Sequence, residues 1–503
     1  MSSREDNISR RKFFFYGSLL AGAIPAVGCG SSPSLTRLGY KSPNEKLNIA
    51  AIGAGGRAAG NIRGCETENI VALCDVDDNQ AAKTYAQFEN VAKYRDFRKM
   101  LDKEGKNIDA VIISTPDHMH ATAAIWCMER GLGVYVEKPL TRTVWEARQL
   151  TLAARKYKVA SQMGNQGYSN EGTRLAAEVI WSGEIGNVTE VHAWTNRPIW
   201  PQGVSTIPPP EPVPSTLDWD LWLGMAQERP YTSGGAEYAD RNSKFYQPFN
   251  WRGFFDFGCG ALGDMACHIL GAPNMALMLG APSSVEVIKQ EGKNDLTFPS
   301  SSVIRFDFPA RGSMPPLKLV WYDAVKDVPM RPEGLAADEL ILGPGLNVRP
   351  ETIGGGARRR TARAGTDTTA VQAAPEEPER RPDQSNGAVF IGEKGILTTD
   401  SYAGQVRLLP AERMQDFKNP PKFLTRSPGH HRDWIRACKG GEQACSNFSV
   451  AGPFTEWILL GSIALHFEGK LEWDAERMRF TNNNEANKYI KPEFRKGWKF
   501  NAV

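Results

Sequence analysis

The chain has 503 residues, 41% of them hydrophobic, and a formal net charge of +3. That length builds two or three domains with sizeable cores. The nearly balanced charge leaves no electrostatic footprint for nucleic acid or for an anionic membrane surface. Eight cysteines occur without a C-x-x-C pair. Cys259 and Cys267 therefore read as small buried apolar residues rather than metal ligands, and no metal site is expected.

From the N-terminus, residues 1–29 read as an export signal. Ser9-Arg10-Arg11-Lys12-Phe13-Phe14 has the form of a twin-arginine motif, and the apolar run Phe14–Val27 is too short to span a bilayer. Ala26-Val27-Gly28-Cys29 has the form of a lipobox; the alternative is a plain cleaved signal with an incidental cysteine. The expected location is the periplasm, with a lipid on Cys29 as the only membrane contact. Residues 30–45, rich in Ser and Pro, read as a tether.

Residues 46–164 alternate apolar strands and helices, the pattern of a doubly wound parallel sheet. Strand Leu47–Ile52 ends at Gly53, followed by Gly55, Gly56, Arg57 and Gly60. Glycines let the backbone approach a ligand, and the next helix aims unpaired N–H groups and its positive dipole end at a phosphate. Strand Asn69–Cys74 ends at Asp75, about 20 residues on, where a dinucleotide site places a carboxylate for ribose hydroxyls. NAD binding follows from this order of parts. Asp75 would repel a 2′-phosphate, favouring NAD over NADP; Arg57, able to pair with that phosphate, speaks the other way. Strands Asp109–Ser114, Gly133–Val136 and Ala160–Met163 come next, with helices at Ala121–Arg130 and Val144–Tyr157. The strands end in Thr115-Pro116-Asp117-His118-Met119-His120, in Glu137-Lys138-Pro139 and in Gly164-Asn165-Gln166, at the sheet edge where ligands bind.

These pieces, with Gly260-x-x-x-Asp264-x-x-x-His268 farther on, resemble the Gfo/Idh/MocA oxidoreductases and run through most of the chain in family order. Pro428-Gly429-His430-His431 and Leu471-Glu472-Trp473-Asp474 are similar to the exported branch of that family. The resemblance implies an α/β protein: a Rossmann domain, then an α+β domain with a large open, mostly antiparallel sheet. The back of that sheet often forms an oligomer interface in relatives, so a homo-oligomer is expected. The resemblance also implies cofactor contacts from Gly53, Gly55, Gly56, Arg57, Asp75, Thr115, Pro116, His120, Glu137 and Lys138. It gives acid–base or substrate-orienting roles to Lys138, Asp264 and His268.

Residues 165–480 read accordingly. Helix Glu171–Ser182 and strand Val188–Thr195 precede a long loop, Asn196–Asn250, with Trp200, Trp219, Trp222 and Tyr231 in it and Trp251 just beyond. Loops this long are usually functional; exposed rings there would stack on sugars, buried ones would only pin the loop. Strands at Ser284–Gln290, Ser302–Phe308, Leu317–Tyr322, Ala388–Phe390 and Gly395–Thr398 are interrupted by residues 343–386. That stretch has mixed charge, including Arg358-Arg359-Arg360 and Glu376-Glu377, and reads as a disordered insertion. Helices His431–Cys438 and Ala451–Phe467 close the domain, and residues 481–503 read as a tail.

Asp264 and His268 fall on one face of a predicted helix. An imidazole accepts protons near neutral pH, and a carboxylate beside it would raise its pKa and orient it. Lys138 follows a parallel strand end, at the nicotinamide crevice. Without the nucleotide site, these would be a helix-stabilising pair and a surface lysine. The expected activity is hydride transfer between NAD and a sugar, glycoside or polyol hydroxyl. Outside the cytoplasm little free NAD exists, so the cofactor should be tightly bound and reset in each cycle. The alternative is an NAD-dependent glycosidase that oxidises C3 transiently, eliminates the aglycone and returns the hydride. A third reading is a non-catalytic sugar-binding lipoprotein.

Overall fold

The computed structural model describes residues 44–346 and 383–503. The export signal, Cys29 and most of the expected insertion lie outside the described residues. The first part of the chain alternates β1 (Asn48–Ile52), α1 (Arg57–Gly64), β2 (Asn69–Cys74), α2 (Asp78–Gln87), β3 (Ala92–Tyr94), α3 (Phe97–Glu104), β4 (Ala110–Ile113), α4 (Asp117–Met128), β5 (Gly133–Val136), α5 (Val144–Tyr157) and β6 (Ser161–Met163). The strands form a six-stranded sheet in the order β3-β2-β1-β4-β5-β6, every neighbour pair parallel. Residues 49–52 and 110–113 are buried, as strands covered by helices on both faces must be. The strand order reverses between β1 and β4, the point outside whose strand ends ligands bind in such sheets.

Helix α4 begins at Asp117, four residues before the expected start at Ala121. All but one of its residues are buried, and a helix buried all round shows no amphipathic period to mark where it starts.

The second part comprises α6 (Glu171–Trp181), β7 (Val188–Trp194), α7 (Trp219–Leu223), α8 (Gly260–Ile269), α9 (Gly271–Ala276), β8 (Ser284–Glu291), β9 (Ser301–Phe308), β10 (Leu317–Tyr322), β11 (Gly387–Gly392), β12 (Gly395–Asp400), β13 (Val406–Leu409), α10 (His430–Cys438), α11 (Phe448–Ala464), β14 (Lys470–Asp474) and β15 (Arg479–Phe480). Among the described residues the strands make a nine-stranded sheet in the order β13-β12-β11-β7-β10-β9-β8-β14-β15. Every neighbour pair is antiparallel except β7–β10. Strand β9 alternates buried and half-buried residues, so there helices cover one face of the sheet and the other is partly open. At β7, β11 and β13 the second face is covered, with Trp194, Val389 and Leu409 packed against Ile341 and Leu342. The α/β class and the open, mostly antiparallel second sheet are as expected. Strands β3, β13, β14 and β15 went unread: β3 and β15 are three and two residues long, β13 is buried throughout and so shows no alternation, and only β14 carries a period.

Of the two readings of the long loop, the rings follow the second: Trp200, Trp219, Trp222, Tyr231 and Trp251 are all buried. Trp219 stacks on Trp222 at 4.7 Å, and with Tyr231, Trp251, Tyr246, Phe254 and Phe257 they form one aromatic core. A stretch with few backbone ladders is fixed by burying aromatic area instead. Residues 481–503 are not a free tail. Trp498 lies against Phe97 and under the Arg98 guanidinium, Phe500 stacks on Trp145, and the Val503 amide donates to the Gln149 side chain at 2.7 Å. Helix α10 likewise sends Trp434 and Ile435 into the core that holds β1.

Candidate active site

The turn after β1 is shaped as a cradle. Gly53 and Gly56 adopt φ of 82° and 55°. A Cβ on Gly55 would come within 2.3 Å of the Gln80 carbonyl oxygen, so only glycine fits under α2. No side chain caps α1, so apart from the Ala58 amide, which donates to the Gly55 carbonyl at 3.1 Å, its N-terminal end remains available to an anion. Asp75 closes the cradle: its Oδ2 accepts from the amides of Ala54 (2.8 Å) and Gly55 (3.1 Å), and its Oδ1 from Asp77 at 3.0 Å. Burial pushes the Asp75 carboxyl upward, and these amides pull against it.

Across the crevice stands Glu137, at the end of β5. It accepts from Arg57 Nε at 3.0 Å, from Asn61 Nδ2 at 2.9 Å and from the Lys138 amide at 3.1 Å. Burial raises its pKa, but Arg57, Asn61 and Lys138 outweigh that and hold the carboxyl below its ordinary range. Arg57, the residue that spoke for a 2′-phosphate, is thus turned to Glu137. The His120 ring lies between two carbonyls, Pro139 at 2.8 Å and Thr115 at 2.9 Å, and ties the loops after β4 and β5 together. The Thr115 hydroxyl is buried beside it without a partner. From the far end of the chain, His431 reaches Asn61 at 3.2 Å and stacks on Tyr135.

The acid–base residues meet, with one change of partner. Lys138 Nζ donates to Asp264 Oδ1 at 2.8 Å and to the Asp264 carbonyl at 2.9 Å. Arg252, from the turn Asn250–Gly253, donates to the same Oδ1 at 2.9 Å. Burial raises the Asp264 pKa, but the two cations hold it well below the carboxylate range. Desolvation alone would lower Lys138; Asp264 outweighs it, so the ammonium stays charged. Asp264 therefore does not orient His268, as the spacing had implied, because two buried cations outbid a neutral imidazole for its oxygen. His268 is 5% exposed, its Nδ1 has no partner, and burial with Lys138 nearby pulls its pKa down to about 3.

Three further residues border this cluster. Arg252 is sandwiched by Trp251 and Phe249 at 4.3 and 4.4 Å from the ring centroids. Asp117, the first residue of α4, is buried near Arg252, Asp264 and Lys138, and burial pushes its carboxyl up to about 8. One ionised and one protonated carboxyl thus share the site, the separation that acid–base roles require. Tyr402, in the turn between β12 and β13, is 43% exposed and its ring lies 4.7 Å from that of His268. A Cβ on Gly167 would sit 3.0 Å from the Tyr402 backbone, so that glycine lets the turn approach. Tyr402 also lines a cavity of ≈ 290 Å³, with Asp400, Gln405 and Arg407.

Cys259 and Cys267 are buried and direct their thiols at backbone carbonyls of Thr141 and Gly263. Among the described residues, no group of three or more His, Cys, Asp or Glu is arranged to hold a metal. Among the described residues, too, no helix is long and apolar enough to cross a membrane.

Burial also holds His118, on the first turn of α4, at about 3. Neutral when folded, His118 and His268 would protonate near ~6.5 once unfolded. Between those values the unfolded chain binds protons the folded one cannot, so stability falls as pH falls. The slope is up to about 1.4 kcal/mol per pH unit for each ring. Asp117, pushed up to about 8, contributes in the opposite sense over the same window, so the test compares variants. The Tm of His118→Gln and of His268→Gln should fall less between pH 7 and pH 4 than that of the wild type, and a wild-type pH dependence in both would mean that the rings are charged in the fold.

The cradle, the uncapped helix and the orphaned Thr115 hydroxyl fit a dinucleotide. Comparison with known proteins agrees. A family model described as "Oxidoreductase family, NAD-binding Rossmann fold" matches residues 47–165, and one described as "Oxidoreductase family, C-terminal alpha/beta domain" matches residues 183–297. A Solibacter usitatus protein named "Glycosyl hydrolase family 109 protein" is 28% identical over 210 residues, covering 38% of this chain and 47% of the relative. An inositol 2-dehydrogenase of Serratia proteamaculans is 29% identical over 157 residues, covering 30% and 46%. The chain thus spans about half the length of these curated relatives. Among solved structures, the WlbA dehydrogenase of Bordetella pertussis, in complex with NADH and UDP-GlcNAcA, superposes with a TM-score of 0.52 at 14% identity, over 86% of this chain and 99% of that one. That likeness is one of fold.

Proposed function

Because this chain belongs to the Gfo/Idh/MocA oxidoreductase family, we propose that it is an NAD-dependent oxidoreductase acting on a hydroxyl of a sugar, glycoside or polyol. One observation carries the reading: Lys138 from the end of β5 and Asp264 and His268 from α8 converge beside a dinucleotide cradle. NAD supplies the hydride acceptor at that crevice. His268, neutral at working pH, receives the hydroxyl proton at its imidazole. Lys138 uses two of its three N–H donors on Asp264, and the third holds the substrate oxygen. Arg252 keeps Asp264 ionised and fixed, so Lys138 acts as a donor rather than as a base. Tyr402 offers the exposed ring on which a sugar face stacks. Gly53, Gly55, Gly56, Asp75 and Thr115 hold the nucleotide.

The glycosidase reading is favoured by the relative named for glycosyl hydrolase family 109. It uses the same residues, with the hydride returned to the same molecule. Export through the twin-arginine route and a lipid on Cys29 belong to the same proposal and rest on the sequence motifs; self-association rests on the resemblance to the family alone. The test is to denature purified protein, identify the nucleotide released, and incubate native protein with mixed polyols and methyl glycosides. Mass spectrometry separates a ketone from a hydrolysed sugar. Neither product, with no NAD released, would leave a binding protein and end the enzyme reading.

A further inference from the structure

We propose that the long loop of the second domain is a clasp across the adenosine half of the crevice that keeps bound NAD from exchanging with solvent; this rests on the nucleotide reading above. On one lip, immediately after Asp75, the segment 76–78 pairs with 216–218. The Asp78 amide donates to the Thr216 carbonyl at 3.0 Å and the Asp218 amide to the Val76 carbonyl at 2.8 Å, with Asp77 opposite Leu217 in an antiparallel bridge. On the other lip, the first turn of α4, the His118 amide donates at 3.2 Å to the carbonyl of Phe257, which follows the loop and shares its aromatic core. The His118 ring lies 3.1 Å from the Trp222 carbonyl and is tilted against the Trp222 and Phe257 rings.

Leu217, Trp222 and Phe257 belong to one aromatic core, and Val76 lies against it. A single block therefore joins the carboxyl ends of β2 and β4. Between those strands runs β1 with its glycine turn, where the adenosine and pyrophosphate of a dinucleotide lie in such sheets. The buried rings of this loop thus have a purpose other than sugar stacking: they stiffen a bar over the nucleotide. Release of NAD requires one lip to part, and both lips are held by backbone hydrogen bonds backed by aromatic burial. A cofactor retained in this way cannot carry electrons off. The hydride taken from one substrate carbon must return to the same molecule or pass to the carbonyl carbon of a second.

The bridge geometry gives the test. The two hydrogen bonds flank Asp77 and Leu217 rather than joining them, so these residues form a non-hydrogen-bonded pair with Cα atoms about 4.5 Å apart. That lies within disulfide range. Asp77→Cys combined with Leu217→Cys would lock the lip when oxidised and free it when reduced. Protein loaded with labelled NAD is chased with excess unlabelled NAD. The oxidised double variant should release label at least about tenfold more slowly than the same protein reduced, and Leu217→Ser at least about tenfold faster than the wild type. Equal rates in the oxidised and reduced states, with Leu217→Ser also at the wild-type rate, would overturn the clasp while leaving the nucleotide reading intact. Failure of the wild type to bind NAD at all would overturn both.

Discussion

His268→Ala and Lys138→Ala are each expected to slow the single-turnover reduction of bound NAD by ~10²–10⁴-fold, roughly 3–5 kcal/mol of barrier, while leaving the nucleotide bound. The two should fail differently. His268 is a buried, neutral imidazole with an unpartnered Nδ1, held near about 3 by burial and Lys138. Removing it removes the proton acceptor, and small added bases should restore part of the rate. Lys138 is an ammonium fixed by Asp264, so its loss removes a donor to the substrate oxygen, and added amines should rescue in their protonated form. Asp264→Ala is a harsher change than the sequence spacing implied. It strands Lys138 and Arg252 as buried, unpaired cations, and breaking such a pair costs about 3–5 kcal/mol, so Tm should fall along with activity. The measurement is absorbance in the nicotinamide band with thermal melts alongside. Wild-type rates in the His268 and Lys138 variants would end the acid–base assignment. Loss of NAD or of folding would make these residues structural.

Much of this site was legible because Rossmann chemistry is local in sequence. Buried β1 and β2 read as uninterrupted apolar runs, and the interval from the glycine turn to Asp75 is set by one strand–helix–strand unit. Glu137 and Lys138 follow a strand whose end is unmistakable. Asp264 and His268 share a helix, and their joint presence was readable; their electrostatics were not. The second cation on Asp264 is Arg252, in an irregular turn with no period or motif to flag it. The neutrality of His268 is a consequence of burial, which pattern alone does not supply. Tyr402 reaches His268 because Gly167, ahead of α6, and Gly172, inside it, let the turn between β12 and β13 approach. The aromatic loop shows the limit from the other side: composition marks such a stretch as unusual, but cannot distinguish rings that face a ligand from rings that face one another. Pro428-Gly429-His430-His431 was conspicuous in the sequence, yet its contact with Asn61 and Tyr135 joins residues too distant along the chain for any local pattern.

Asp75→Ala is expected to weaken NAD binding by about 10- to 100-fold and to narrow the preference over NADP. The magnitude follows from what its carboxylate does. Two amides of the glycine turn and the amide of Asp77 already occupy it, three of about four acceptor positions. The remaining position is open to a ribose hydroxyl. Hydrogen bonds to a charged group contribute about 1.5–3 kcal/mol each, and every ~1.4 kcal/mol is tenfold in affinity. Alanine removes the hydroxyl contact and the brace that holds Ala54 and Gly55 in place. Asp75→Asn separates the two: it keeps an acceptor oxygen for the turn but loses the charge that repels a 2′-phosphate. NADP should therefore gain relative to NAD in both variants, while Tm falls chiefly in the alanine one. Arg57 should not capture the phosphate in either, since Glu137 holds it at 3.0 Å; Asp75→Asn with Glu137→Gln would free it and raise NADP affinity further. Fluorescence titrations with NAD and NADP, paired with melts of the nucleotide-free protein, read both quantities. Unchanged affinity for both nucleotides with a lowered Tm would make Asp75 a brace alone, and unchanged values throughout would remove it from the site.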